Sequence, residues 1–444
     1  MTIWSPRLSS SDAPIYARIA DALERDVRAG VVLPGSQLPT HRELARMLRV
    51  TPVTVTRAYA EAAKRGLVVS NTGRGTFVRG TTREEARQSE TDLATNVIST
   101  PLPDVSAKVL QRLAATLNTT SYGVGSGSER HRAAGAAWIG GGVEPSRVVV
   151  TAGTQHALFL AFAVAAKPGD TVLVENVTYH GAKAIASLLH LRFAPLPLDR
   201  HGILPDAFER VVRARGGPRV VYLVPTLQNP TATVMPEKRR REIARIAEKY
   251  GVTIIEDDVT SFLVDDGPAP IARFAPDRTI YLTGLGKAVA PALRTGFMTA
   301  PDALLPRLHS AVAASLLFTS PLVTELAATW IEDGTAAKLA AAKRAEVALR
   351  QRAARHILGR PATGDERSPH IWLALPPRWT PDTFAAAALR RNIRVASATN
   401  FAVGPDIPRA VRVSIGAPES VAELESALNV LANLEEESGG RTIV

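Results

Sequence analysis

From residue 109 onward, short β-type apolar runs alternate with helical runs, and this alternation limits the possible folds more than any other feature of the chain. The strand candidates are 148–151, 171–174, 219–224, 252–256 and 279–283. Such continuous apolar runs suit strands buried on both faces, which predicts a mostly parallel α/β sheet covered by helices on both sides. Beyond about residue 321 come Ala-rich helices and short strands at 370–375, 393–396 and 411–415, which predict a smaller α+β lobe over about 322–444. At 444 residues the chain exceeds what one core usually serves, so more than one domain is expected. The absence of cysteine excludes disulfides, cysteine zinc sites and thiol nucleophiles, and it fits a reducing cytoplasm. The start carries no apolar signal core, and the longest uncharged apolar run, 157–166, is too short to span a bilayer. A soluble cytoplasmic protein without a membrane partner is therefore expected.

The net charge of +11 is unevenly spread. Residues 1–80 carry twelve Lys and Arg against six Asp and Glu, so the basic excess concentrates at the front and points to a polyanionic partner. Apolar residues Ile15, Ile19, Ala22, Leu23 and Val27 recur at helical spacing, and Gly30 provides a stop. Thr40 is suited to cap a short helix over 41–48 with Leu44, Met47 and Leu48 turned inward. Thr51 is suited to cap a third helix with Pro52 at its first position and Val55, Tyr59 and Ala62 on its inner stripe. Two short helices joined by a tight turn read as helix-turn-helix. Runs 67–69 and 76–78 then predict a hairpin whose tip presents Arg74 between glycines, a shape suited to a groove or phosphate contact.

The motifs Pro14-Ile15-Tyr16, Leu33-Pro34-Gly35, Leu38-Pro39-Thr40-His41-Arg42-Glu43-Leu44-Ala45 and Gly73-Arg74-Gly75-Thr76-Phe77-Val78 resemble the winged helix-turn-helix of GntR-family bacterial regulators. The resemblance implies that Arg42, Thr54, Arg57 and Arg74 contact double-stranded DNA. Pro52 stands where many relatives carry arginine, which alters base readout there. The winged helix-turn-helix domain is expected over 1–80, a polar linker over 81–108, and the large domain over 109–444.

Within the large domain, polar residues cluster at strand ends, where open α/β sheets bind ligands. Thr151-Ala152-Gly153-Thr154-Gln155 passes from strand to helix, offering free N–H groups and a helix dipole to an anion. Tyr179 can stack on a planar ring, and Asn229 is a donor in an Asn-Pro turn. Glu256-Asp257-Asp258 ends an apolar strand, so one carboxylate is expected to be partly buried and to need a cation, such as a protonated pyridine nitrogen. Lys287 follows a buried strand in a Gly-rich turn ahead of Pro291, where desolvation would depress its pKa and favour Schiff-base formation. Together these groups match the needs of a pyridoxal 5'-phosphate site.

In order and spacing the set resembles the fold-type I aminotransferases over roughly residues 109–432. The resemblance implies Lys287 as the Schiff-base lysine, Asp257 on the pyridine nitrogen, Asn229 on the phenolic oxygen and Tyr179 on the ring face. It places Gly153, Thr154 and Arg294 at the phosphate, Tyr122 at the neighbouring subunit's phosphate in a head-to-tail homodimer, and Arg412 on a substrate carboxylate. Five positions depart from the family pattern. Gly286 and Gly284 stand where hydroxyl residues are usual, Thr260 replaces a tyrosine, Ala232 a glycine and Val124 a proline, which implies weaker cofactor binding and an altered lysine pKa.

A GntR-type front joined to such a domain is the layout of the MocR subfamily of transcription regulators. The resemblance implies a regulator that senses pyridoxal phosphate, or a small amine or amino acid through it, and reads an operator with repeated half-sites. Two alternatives stay open: a working aminotransferase with a DNA-binding appendage, and a regulator that has lost the cofactor.

Overall fold

The computed structural model describes residues 4–6, 8, 13–28, 31–32, 36–71, 75–78, 90–99, 109, 111, 113–115, 125–214 and 216–436. The chain divides into two compact units, Met1–Glu90 and Thr91–Val444.

The first unit contains helices α1 (Ile15–Arg28), α2 (His41–Leu48) and α3 (Pro52–Lys64) and strands β1 (Val68–Asn71) and β2 (Gly75–Val78). Thr40 and Glu43 form a reciprocal capping box at the start of α2, and Arg49 ends that helix in the left-handed region with φ 53°. Thr51 caps α3 by accepting from the Thr54 N–H at 3.2 Å, and Pro52 occupies the first helical position. The expected inner stripe of Val55, Tyr59 and Ala62 is buried with Ile19, Leu23, Leu44 and Val78 in one small core. Met47, expected to face inward, is instead 41% exposed, because α2 turns only Leu44 and Ala45 fully into that core. Ile15 likewise remains exposed at the first position of α1. The strands pair antiparallel, with Val68 opposite Val78, as a wing does. Arg74 lies outside the described residues.

The second unit begins with β3 (Thr91–Asp92) and contains a sheet of seven strands: β4 (Val148–Thr151), β5 (Thr171–Glu175), β6 (Arg192–Leu196), β7 (Val220–Leu223), β8 (Thr253–Asp257), β9 (Thr279–Gly284) and β10 (Gly296–Thr299). Their spatial order is β4-β10-β9-β8-β7-β5-β6, and β10 alone runs against the rest. Strands β6 and β10 carry too few continuous apolar residues to stand out in the sequence. Alternate residues of each central strand serve opposite faces. Tyr222 and Ile255 pack with Leu158 and Phe162 of helix α4 (Thr154–Ala165), while Val221 and Ile254 pack with Ile243 and Ile246 of helix α5 (Glu237–Tyr250). Each fully buried Leu or Ile of this kind is worth about 1.5–3 kcal/mol.

Beyond a long helix, α6 (Thr335–Leu358), the small lobe forms a second, four-stranded antiparallel sheet. Its strands are β11 (Ala362–Thr363), β12 (His370–Ala374), β14 (Ala396–Ser397) and β15 (Ala410–Ser414), in the order β11-β12-β15-β14. Between them, β13 (Ile393–Arg394) pairs in parallel with β3. Residues 91–99, read from their polarity as part of a linker over 81–108, are therefore built into the large unit. Leu93 is fully buried in the small-lobe core, and Ile98 is buried beside Leu227.

Candidate functional site

The carboxyl ends of β4, β8 and β9 open on a cavity of about 750 Å³ whose lining includes Thr154, Tyr179, Asn229, Asp257, Lys287 and Arg412. Lys287 sits in a single helical turn, Leu285–Ala288, which closes before Pro291. Its side chain keeps some surface open to the cavity, yet the amine is packed closely enough that burial, then the Arg412 charge, push its pKa down to about 8, with Asp257 partly opposing. The Lys287 ammonium donates to the backbone carbonyl of Asn96. Behind it, the buried Lys343 of α6 donates to the Lys287 carbonyl at 3.0 Å, and burial pushes its own pKa down to about 8 as well.

All three carboxylates at the end of β8 are buried, and each has a different environment. Glu256 accepts from the N–H groups of Ile271 and Ala272, both at 2.8 Å, and faces Arg240 at 3.8 Å. Asp258 accepts from the Tyr281 hydroxyl at 2.9 Å. Asp257 is the one that lines the cavity. The Tyr222 hydroxyl donates to its Oδ2 at 2.8 Å, while its Oδ1 is buried without a hydrogen-bond partner. Burial pushes the Asp257 pKa up to about 6, against the pull of that tyrosine hydrogen bond.

Gly153 precedes α4 with φ 84°, and a Cβ there would lie 2.9 Å from an Arg294 guanidinium nitrogen. Gly284 and Gly296 face each other across β9 and β10, and a Cβ on Gly296 would lie 2.9 Å from the Thr154 nitrogen. These absent side chains leave a cradle around the first N–H groups of α4, open to an anion. The Tyr179 hydroxyl donates to Gln155 Oε1 at 3.1 Å, and its ring lies where a Cβ on Gly181 would come within 2.4 Å. Arg412, 2% exposed on β15, donates through Nη1 to Asn229 Oδ1 at 2.7 Å and through Nη2 to the Ala94 carbonyl. Its Nε is buried without a partner.

The cavity thus brings together Lys287, Asp257, Asn229, Tyr179, Thr154, Arg294 and Arg412, with Gly153 directly before Thr154. Tyr122 lies outside the described residues. A partnerless carboxylate oxygen, a cradle without side chains at a helix start, a low-pKa amine and an aromatic wall fit the nitrogen, phosphate, aldehyde and ring of pyridoxal phosphate.

Sequence reasoning missed several lining or supporting groups. Asn96 donates from Nδ2 to Nδ1 of His370, whose other ring nitrogen donates to the Gln228 carbonyl, each at 3.2 Å. Burial, then Arg412, push the His370 pKa down to about 3, so the ring is neutral and this tautomer holds Asn96 in place. The only signal for the segment was the spacing of Leu93, Val97 and Ile98 within an otherwise polar stretch. In the first unit, Arg42 and Arg57 are exposed, whereas Thr54 is half-buried with its hydroxyl 2.9 Å from that of Thr51.

Residues 88–431 match the family of aminotransferases of class I and II, and residues 15–78 match the gntR family of bacterial regulatory proteins. The HTH-type transcriptional regulator YdeF of Bacillus subtilis is 32% identical over 447 residues, covering 97% of this chain and 96% of its own length. This chain belongs to the MocR subfamily of GntR-type regulators. Another relative of similar extent is the HTH-type regulator YisV of the same organism, 26% identical over 88% of this chain and 90% of its own. The MocR large unit also shares its fold with the multiple substrate aminotransferase of Thermococcus profundus, with a TM-score of 0.70 and 24% identity over 79% of this chain and 92% of that one. The chain is a transcription regulator with a DNA-binding domain and an aminotransferase-like domain of fold type I.

Four positions where this MocR chain departs from the aminotransferase pattern have distinct surroundings. A Cβ on Gly284 would lie 2.8 Å from the Thr295 carbonyl and 3.0 Å from the Gly296 Cα, so no hydroxyl side chain fits there. Gly286 has nothing within 4 Å of the same position. Thr260 lines the cavity and commits its hydroxyl to the Thr226 carbonyl at 3.0 Å. Ala232 adopts φ 58°, a left-handed conformation that glycine takes more readily.

Proposed function

We propose that the large unit of this regulator binds pyridoxal 5'-phosphate at Lys287 and uses it to sense either the cofactor or an amino compound. When bound, the cofactor supplies an aldehyde carbon open to reversible attack by primary amines and a ring that withdraws electrons. The observation that carries the reading is Asp257 Oδ1, buried without a partner in the same cavity as a lysine whose pKa is depressed to about 8.

Each residue has a distinct task in this reading. Lys287 supplies an amine that is partly neutral near physiological pH. Asp257, held by Tyr222, accepts the ring N–H. Tyr179 covers one ring face, Asn229 meets the phenolic oxygen, and the cradle of Gly153, Thr154 and Arg294 binds the phosphate. Arg412 receives the carboxylate of an effector that has one. An effector biases the regulator only by binding its DNA-competent and DNA-incompetent states with different affinity. In the first unit, Arg42, Thr54 and Arg57, together with Arg74 at the wing, contact DNA, and a head-to-tail homodimer with Tyr122 at the neighbouring subunit's phosphate presents two such units to repeated half-sites.

The test is an absorbance titration of purified protein with pyridoxal phosphate. A new visible band that Lys287→Ala abolishes is expected, and equal spectra for both proteins would overturn the reading. Working transamination is a second reading, favoured by the joint retention of Lys287, Asn229 and Arg412 in one cavity, and keto acid released over many turnovers would establish it.

A further inference from the structure

Residues 91–97 cross the cavity as a strap. The Thr91 N–H donates to the Asn392 carbonyl at 2.9 Å, the Leu93 N–H to the Arg394 carbonyl at 2.8 Å, and the Leu93 carbonyl accepts from Ser414 at 2.8 Å. Asp92 folds the next turn by accepting from the Ala94 N–H at 2.8 Å, the Thr95 N–H at 3.0 Å and the Thr95 hydroxyl at 2.7 Å. That turn presents two carbonyls to the cavity. Ala94 takes Arg412 Nη2, and Asn96 takes the Lys287 ammonium.

Those are the two cations that an α-amino acid would engage. A guanidinium grips a carboxylate through two adjacent donors. Nη1 of Arg412 is committed to Asn229, so the remaining fork is Nε with Nη2. Nε is buried without a partner, which is unfavourable, and Nη2 is held by the strap. A carboxylate on this fork satisfies Nε and must evict the Ala94 carbonyl.

We propose that the strap is a built-in competitor of the effector carboxylate, so that amino acids unseat residues 91–97 whereas amines without a carboxylate leave them seated. The inference rests on the cofactor reading above. The strap opens the large unit, directly after the DNA-binding unit in sequence.

The test compares two probes: pyridoxamine 5'-phosphate, which carries no carboxylate, and N-(5'-phosphopyridoxyl)-L-alanine, which adds one. Calorimetry measures binding, and hydrogen exchange reports on residues 91–97. The expected result is that both bind and only the alanine conjugate speeds exchange across the strap. Binding of both with equal strap protection would overturn the inference alone, whereas binding of neither would overturn the cofactor reading and the inference with it. Thr95→Ala, which removes one hydrogen bond from the turn at an exposed site, is expected to raise affinity for the conjugate about fivefold relative to pyridoxamine phosphate. An unchanged ratio would count against the strap.

Discussion

At the scale of single residues, the cavity is governed by where charge is buried. Lys287 shares its surroundings with Arg412 and Lys343, and one carboxylate, Asp257, offsets them only in part. Because its pKa is lowered to about 8, the reactive neutral amine grows as pH rises through that value. The observed rate of pyridoxal phosphate capture, followed by stopped-flow absorbance, is therefore expected to rise with a midpoint near pH 8. Lys343→Met removes a buried positive neighbour and is expected to move that midpoint upward. A midpoint near the ordinary lysine value in wild type would sink the account. The sequence disclosed Lys287 and Asp257 because each ends an apolar strand. It did not disclose Lys343, which sits among alanines on a long helix, where a lysine usually faces water.

At the scale of elements, the cradle is set by the approach of β9 and β10. Gly284 lies where any Cβ meets backbone atoms, whereas Gly286 looks into open space. Gly286→Ser is expected to tighten pyridoxal phosphate binding several-fold by adding a hydroxyl near the phosphate. Gly284→Ser is expected to weaken it and to lower the melting temperature, since overpacking a tight contact costs about 1–3 kcal/mol. Fluorescence titration and thermal unfolding read both, and equal behaviour of the two variants would refute the distinction. The central strands were legible because β4, β7 and β9 are apolar on both faces. Strands β6 and β10 were not legible because they carry too few continuous apolar residues, and β3 was not because a partner some three hundred residues later, β13, defines it. The same holds for Asn96, whose place in the site depends on β13 some three hundred residues later.

At the scale of the molecule, two units with separate cores carry separate tasks. Arg57 is exposed on α3 and belongs to neither core. Arg57→Ala is expected to weaken operator binding at least tenfold in a mobility-shift assay while leaving cofactor absorbance unchanged. An effect on absorbance would contradict the assignment of Arg57 to DNA alone.

The pairing of β3 with β13 also imposes an order on synthesis. The DNA-binding head holds a complete core of its own within the first eighty residues, so it can fold while most of the chain is still on the ribosome. The strap cannot seat until residues 393–394 have been made. Each newly made molecule thus completes the core of its DNA-binding unit well before β3 can pair, and a message cut short ahead of β13 yields that unit with the strap unseated.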